Sequence, residues 1–483
     1  MTEMWERFSY YGMRGLLVFY LTQHFLFSDS KAFLIYGAYT SLVYMTPIIG
    51  GALADKYLGM GKAVTLGAVL LVLGHFGMAF EGPAAEMAGG EVSRSAFYTQ
   101  VFYLSLALIV VGVGFLKPNI STIVGQLYPE GDPRRDSGFT IFYMGINIGA
   151  FSSSLLCGWL GQTYGWNYGF GLAGIGMLFG LLIFRRGQGH FNGAAEPSNP
   201  ELLNQNIFGI SREHLIYLGA ILMVIMCWLL VQNQAVVGGL LGFTAVAVVL
   251  FLVTYCFTKC TPVERDRLGV AAALTFFSVI FWSLFEQAGS SLNLFTDRAV
   301  DRHMFGWEVP ASMFQSINSA YIFIFAPFVS MLWPKLAEKG IEPNTPQKFA
   351  IALFLVGLGF LTLVFGGTSA GEGQVALIWI FLIYWLHTMG ELCLSPVGLS
   401  MITKLSMRRI VSMMMGIFFL SYAGGNFVAS LIARATDKAP EAGQTALDVT
   451  LEVYTRVGWL AVAIAVVLFL VAPILKKGMH GVK

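Results

Sequence analysis

The chain has 483 residues, of which 56% are hydrophobic and only 12% charged, with a formal net charge of +2. A soluble domain carries roughly 25% charged residues, so this composition cannot solvate the surface of a soluble protein, and the near-neutral balance argues against a nucleic-acid partner. The apolar runs are about 20 residues long, which excludes an outer-membrane barrel of short alternating strands and indicates an all-α polytopic membrane protein.

In chain order, apolar runs between polar or Gly/Pro-rich breaks predict about fourteen spanning helices. They cover 3–26, 32–55, 62–82, 96–127, 137–160, 167–186, 214–233, 236–257, 268–296, 311–333, 347–367, 374–403, 409–433 and 452–475. The chain opens directly on Glu3, Glu6 and Arg7 without a cleavable signal peptide, and the abrupt start implies a short N-terminal tail before this numbering. Cys157, Cys227, Cys256, Cys260 and Cys393 are scattered through apolar stretches with neither disulfide nor zinc spacing.

After Arg185 and Arg186 a Gly-, Asn- and Pro-rich linker runs over roughly 187–212, and then two helices follow without any Asp, Glu, Lys or Arg from His214 to Phe257. Such a featureless pair is expected to face lipid. Setting it aside leaves six helices on each side, and hence three domains: an N-terminal bundle (1–186), a linker with an extra hairpin (187–262) and a C-terminal bundle (263–483). This 6+6 plan is that of major facilitator transporters, whose site lies where the halves meet.

The basic residues sort by side. With the N-terminus cytoplasmic, the outside receives only Lys31, Arg94, Arg298, Arg302, Arg434, Lys438 and Arg456 of the 29 lysines and arginines. Most of the others, including Arg134, Arg135, Arg185, Arg186, Lys476, Lys477 and Lys483, gather inside, as the positive-inside rule requires of a plasma (inner) membrane protein with both termini cytoplasmic. Arg7, Arg14 and Lys117 belong to neither side because they fall within spans.

A charge in mid-membrane costs several kcal/mol, so it is paired or functional. The acids inside spans are Glu3, Glu6, Glu286 and Glu391, against the three bases. At roughly 100° per residue, Glu3, Glu6, Arg7, Tyr10, Tyr11 and Arg14 share one face of the first helix, with Trp5, Phe8, Leu16 and Phe19 opposite. Glu3 and Arg7 are an i,i+4 pair.

The run Glu3-Met4-Trp5-Glu6-Arg7-Phe8-Ser9-Tyr10-Tyr11-Gly12 reads E-x-x-E-R-F-x-Y-Y-G and resembles the helix 1 signature of the proton-dependent oligopeptide transporter (POT/PTR) family. The resemblance continues through Gly50-Gly51-Ala52-Leu53-Ala54-Asp55-Lys56, Gly114 to Ser121, Phe142 to Gly149, Phe281-Trp282 with Phe285-Glu286-Gln287, Gln315 to Asn318, and Gly390-Glu391-Leu392 with Ser395 to Gly398. It covers nearly the whole chain, and bacterial members also carry the extra hairpin.

What the resemblance implies is a proton-coupled symporter importing di- and tripeptides by alternating access. Arg14 and Lys117 are then expected to hold the peptide carboxylate, a guanidinium as a bidentate fork and an ammonium as a point charge, and Glu391 the terminal amine. Tyr10, Tyr11, Tyr44, Tyr143, Asn147 and Asn318 can hydrogen-bond the peptide backbone, and Trp282 can wall a side-chain pocket. Glu3, Glu6, Arg7 and Glu286 are the expected proton-coupling set, with Glu286 pairing Arg14 and releasing it on protonation. Asp55 and Lys56 are expected to latch helices on the inner side. Ordinary interhelical hydrogen bonding is the competing reading for the tyrosines and asparagines.

Animal members carry a histidine early in helix 2 where this chain has Gly37, so coupling is expected to rest on the acids; His387 is expected to be a packing residue. The proton is the only coupling agent expected, with no cofactor and no metal. The alternative within the family is a proton-coupled nitrate or other small-anion carrier. The H-E-x-x-H motif is absent, so no enzyme is expected.

Overall fold

Fourteen long helices, two short ones and three two-stranded hairpins make up the computed structural model, which describes residues 1–482 except 129–131, 133, 192, 194, 198, 208 and 372. The side chains of Arg135 and Asp136, and Lys483, also lie outside the description.

In chain order the helices are α1 (Thr2–Phe19), α2 (Asp29–Leu53), α3 (Met60–Ala79), α4 (Ala96–Gln126), α5 (Arg134–Thr163), α6 (Trp166–Gly187), α7 (Pro200–Asn204), α8 (Arg212–Gln232), α9 (Gln234–Lys259), α10 (Pro262–Phe285), α11 (Ser291–Ala299), α12 (Ser316–Glu338), α13 (Thr345–Ser369), α14 (Ile378–Leu405), α15 (Val411–Ala435) and α16 (Ala446–Gly478). The antiparallel hairpins, β1 (Glu86–Ala88) with β2 (Glu91–Ser93), β3 (Asn206–Ile207) with β4 (Ile210–Ser211), and β5 (His303–Met304) with β6 (Trp307–Glu308), all lie in connections. Helix starts carry the expected chemistry: Thr261 with Glu264, Asn344 with Gln347 and Thr445 with Asp448 form capping boxes that satisfy the first N–H groups.

Among the described residues, 13 helical spans are long and apolar enough to cross a membrane. The chain is therefore a multi-pass membrane protein. The first helix is not among those 13, because Glu3, Glu6, Arg7 and Arg14 all fall within its 18 residues. It is nevertheless buried on almost every side. The span expected as one helix over 268–296 is broken: α10 ends at Phe285, a 3-10 turn covers Glu286–Gly289, and α11 restarts at Ser291.

The chain divides into two compact units, one of Met1–Val237 with Pro310–Ser316, the other of Gly238–Val309 with Ile317–Lys483. The division runs through the start of α9, so that α8 packs on α4 and α2 of the first unit, while most of α9 belongs to the second and is largely bare of protein.

Within the first unit, small residues let backbones cross closely, as membrane helices without a hydrophobic driving force require. A Cβ on Gly50 of α2 would strike the carbonyl oxygen of Gly114 on α4. That carbonyl is available because Pro118, four residues on, has no N–H to donate to it. Beside it, the Thr46 hydroxyl donates to the Val110 carbonyl at 2.9 Å. Gly149 of α5 meets the carbonyl of Met4 in the same way, while Phe8 and Trp5 of α1 lie over Gly176 and Gly180 of α6. The apolar face of α1 is thus spent on α6.

The linker also has a seat. Gly59, at φ 75°, carries the turn after α2 and faces Pro197, and the Gly61 N–H donates to the Ala195 carbonyl at 2.7 Å. In the second unit α13 packs on α14 and α16, and α10 on α15.

Gly50→Ala should therefore destabilise the protein by about 1–3 kcal/mol through overpacking, read as a lowered unfolding temperature in detergent. Gly416→Ala in α15, where a Cβ meets nothing within 4 Å, should leave it unchanged or slightly raised.

Candidate functional site

In the first unit the charges form a ladder along α1. The Arg7 guanidinium forks onto Glu6, its Nε donating to Oε2 and its second nitrogen to Oε1 at 2.6 Å. Its Nε is also 3.3 Å from Glu3 Oε1. All three are buried, Glu6 at 0% exposure. Two carboxylates therefore share one guanidinium, and Lys117 of α4 lies within Coulombic reach of both. Arg7 also lies 5.3 Å from the Tyr10 ring and 5.8 Å from the Tyr11 ring, in cation–π range.

Two turns deeper, Arg14 donates from Nε to the Tyr36 hydroxyl of α2 at 2.6 Å, and its guanidinium faces the rings of Tyr11 and Tyr36. It is 8% exposed. Lys117 Nζ stands 4.6 Å over the Tyr44 ring. Among the described residues Lys117 makes no ion pair. Asn147 of α5 is buried, with its amide donating to the Tyr143 carbonyl one turn back at 3.0 Å, while the Tyr143 ring is exposed.

In the second unit, Glu286 occupies the first position of the 3-10 turn that breaks α10 from α11 and is 4% exposed. The neighbouring Gln287 pins that break. Its amide donates to the Ser283 and Ala429 carbonyls at 3.0 and 2.9 Å, and its oxygen accepts from Ser291, which in turn accepts from the Tyr454 hydroxyl. Trp282 lies against Tyr422 of α15, ring centroids 4.5 Å apart, and its indole N–H is buried without a hydrogen-bond acceptor among the described residues.

Asn318 of α12 donates to Glu391 Oε2 at 2.9 Å and to the Thr388 hydroxyl at 3.0 Å. Thr388 and Glu391 stand one turn apart on α14, so Asn318 fixes the carboxylate against its own helix. No basic side chain among the described residues forms an ion pair with Glu391. His387, one turn before it, is bonded to the Val356 carbonyl at 3.2 Å and packed on Phe360.

The structure thus gathers Glu3, Glu6, Arg7, Tyr10, Tyr11, Arg14, Tyr44 and Lys117 in the first unit, and Trp282, Glu286, Asn318 and Glu391 in the second. Arg14 and Glu286, expected to pair, belong to different units. Asp55 and Lys56 are exposed on a π turn, Ala54–Leu58, and the ion pair at that end is made by Lys62 with Glu213, at 2.6 Å. Sequence reading missed Tyr36, Thr388, Gln287 and Tyr422. Tyr36 stands two turns before Tyr44 in α2, a spacing that offered a signal; Tyr422 offered none.

Known proteins resemble the chain throughout. Residues 61–456 match the PTR2 model of the POT family, a stretch that begins after the charged ladder of α1. The peptide transporter YePEPT of Yersinia enterocolitica subsp. palearctica is 35% identical over 98% of this chain and 93% of its own length. Dipeptide and tripeptide permease A of Erwinia pyrifoliae is 32% identical over 98% of this chain and 92% of its own. A crystal structure of a mutant peptide transporter POT in complex with alafosfalin is 34% identical, covers 99% of this chain and 94% of its own, and superposes with a TM-score of 0.84. The fold is accordingly the major facilitator fold of six and six helices with an added pair.

Arg7→Gln would leave the Glu3 and Glu6 carboxylates buried without their guanidinium, and is expected to destabilise by about 3–5 kcal/mol. Arg134→Gln, which breaks an exposed pair with Asp132, should leave the stability essentially unchanged. Unfolding in detergent micelles compares the two, and equal shifts would contradict the description of the ladder.

Proposed function

Because the chain belongs to the POT family, we propose that it is a proton-coupled symporter importing di- and tripeptides by alternating access. One observation carries the assignment of roles. Lys117 in the first unit and Glu391 in the second are intramembrane charges that form no ion pair among the described residues. They are of opposite sign. A small peptide is a zwitterion that supplies a carboxylate for the one and an ammonium for the other, and its binding removes the penalty of leaving them unpaired.

In this reading Arg14 joins Lys117 on the peptide carboxylate. Tyr36 orients its guanidinium, and the rings of Tyr11 and Tyr44 support the two cations. Glu391, set by Asn318 and Thr388, takes the amine. Tyr10, Tyr143 and Asn147 add hydrogen-bonding capacity for the backbone, and Trp282 supports a side-chain pocket. The proton is carried on carboxyls: Glu3 and Glu6, which compete for Arg7, and Glu286 at the helix break. A carboxyl beside a guanidinium favours the charged form and a dry site the neutral one, so the balance shifts when a partner moves. No metal or organic cofactor enters the reading. The names of the relatives, peptide transporters and a dipeptide and tripeptide permease, support the substrate class. The asymmetry of basic loops supports cytoplasmic termini in the inner membrane, where Asp55 and Lys56 serve the inner-side latch.

The purified protein in liposomes should take up a labelled dipeptide saturably, and accumulate it only under an inward proton gradient. Uptake of nitrate, with dipeptide failing to compete, would favour the anion-carrier alternative instead. Glu286→Gln is expected to abolish uphill accumulation while retaining peptide exchange; normal accumulation would remove Glu286 from the coupling role. Arg14→Lys keeps the charge but loses the bidentate fork, and its peptide affinity should fall by roughly tenfold or more, the loss of one charge-assisted hydrogen bond.

A further inference from the structure

Between α3, α6 and the start of α8 the first unit holds a cavity of about 370 Å³ that none of the proposed transport residues line. From α3 it takes Lys62, Thr65, Leu66 and Val69, an i, i+3, i+4, i+7 stripe on one helix face. Along that stripe the lining changes from ammonium to apolar over about 10 Å, at 1.5 Å rise per residue. Arg185 in the last turn of α6, Gln188, whose amide donates to the Thr65 hydroxyl at 3.1 Å, and Tyr217 of α8 complete the mouth.

The polar groups of the mouth are unequally satisfied. Lys62 donates to Glu213 at 2.6 Å, and the Tyr217 hydroxyl donates to the same carboxylate at 2.7 Å. Glu213 therefore balances Lys62. Arg185 is exposed and makes no hydrogen bond or ion pair among the described residues, so the mouth keeps a net positive charge. Deeper along the same helices, Leu73 of α3, Leu182 of α6 and Leu218 of α8 are exposed, as a surface against hydrocarbon requires. The cavity thus has a basic, hydrogen-bonding rim and an apolar floor that continues onto the lipid-facing surface.

We propose that this cavity binds an anionic phospholipid, with the headgroup phosphodiester on Arg185 and Lys62 and one acyl chain along Leu66 and Val69. Basic pockets between spanning helices on the cytoplasmic side suit acidic headgroups, and the proposed orientation puts this mouth on that side. A free phosphate ion fits the rim but leaves the floor wet. Arg185 also lies where a cation complements a helix C-terminus and marks the inner side, a role that needs no ligand.

The test is equilibrium binding of phosphatidylglycerol to the delipidated full-length protein in detergent, by native mass spectrometry, beside phosphatidylcholine and inorganic phosphate. Wild type should retain phosphatidylglycerol in preference to phosphatidylcholine. Arg185→Gln should weaken that binding about fivefold, the loss of one basic contact with an anionic lipid, whereas Arg408→Gln, an exposed basic residue of the second unit, should not. Val69→Trp, which fills the floor and leaves every charge in place, should also weaken it. Equal losses in the two arginine variants, an unaffected Val69→Trp, or displacement of phosphatidylglycerol by millimolar phosphate would each overturn the site. Peptide uptake is not the readout, so failure here leaves the transport assignment standing.

Discussion

Everything in this chain turns on the difficulty of keeping a charge away from water. An ionised side chain within a membrane span is tolerated when it has a counter-charge, hydrogen bonds or a task. Arg7 shows the first solution in full, forked on Glu6 and beside Glu3 with all three buried. Arg14 adds a tyrosine hydroxyl and two aromatic faces. Lys117 over Tyr44, and Glu391 held by Asn318, have polar or aromatic support but no ion pair among the described residues. Lys117 and Glu391 are groups that the proposed function assigns to a zwitterionic substrate.

Packing serves that electrostatic arrangement. The polar face of α1 can remain intact because its opposite face is absorbed by glycines of α6 and its backbone by Gly149 of α5. Lys117 is placed next to a proline whose missing N–H lets α2 and α4 approach at Gly50 and Gly114. The second unit achieves a similar end by other means: α10 breaks at Glu286, and Gln287 with Ser291 and Tyr454 makes the break a fixed feature with its polar atoms satisfied. A carboxyl at a break has exposed backbone dipoles nearby that a regular helix would have consumed.

Much of this was legible in the residues themselves. Long apolar runs identify the spans because hydrocarbon leaves the backbone no alternative to helix, and the i,i+4 spacing of Glu3 and Arg7 becomes an ion pair. A window of hydropathy alone fails at α1, where Glu3, Glu6, Arg7 and Arg14 dilute its apolar signal. The break after Phe285 was not legible, since Glu286-Gln287-Ala288-Gly289 carries no proline and its geometry is set by contacts with Ala429 and Tyr454 far along the chain. The same holds for Tyr36 as the acceptor from Arg14, which depends on how α1 and α2 meet. The linker reads as a loose tether in sequence, yet Ala195 and Pro197 dock on the turn at Gly59.

The central claim is that the unpaired intramembrane charges serve coupled movement of a proton with a zwitterionic peptide. Its most direct measurement is the current evoked when a neutral dipeptide is jumped onto a supported membrane carrying the protein, at equal pH on both sides. The account predicts a saturable current of positive charge moving with the peptide, since the peptide itself is neutral and the proton supplies the charge. Peptide binding or uptake with no charge movement would contradict it.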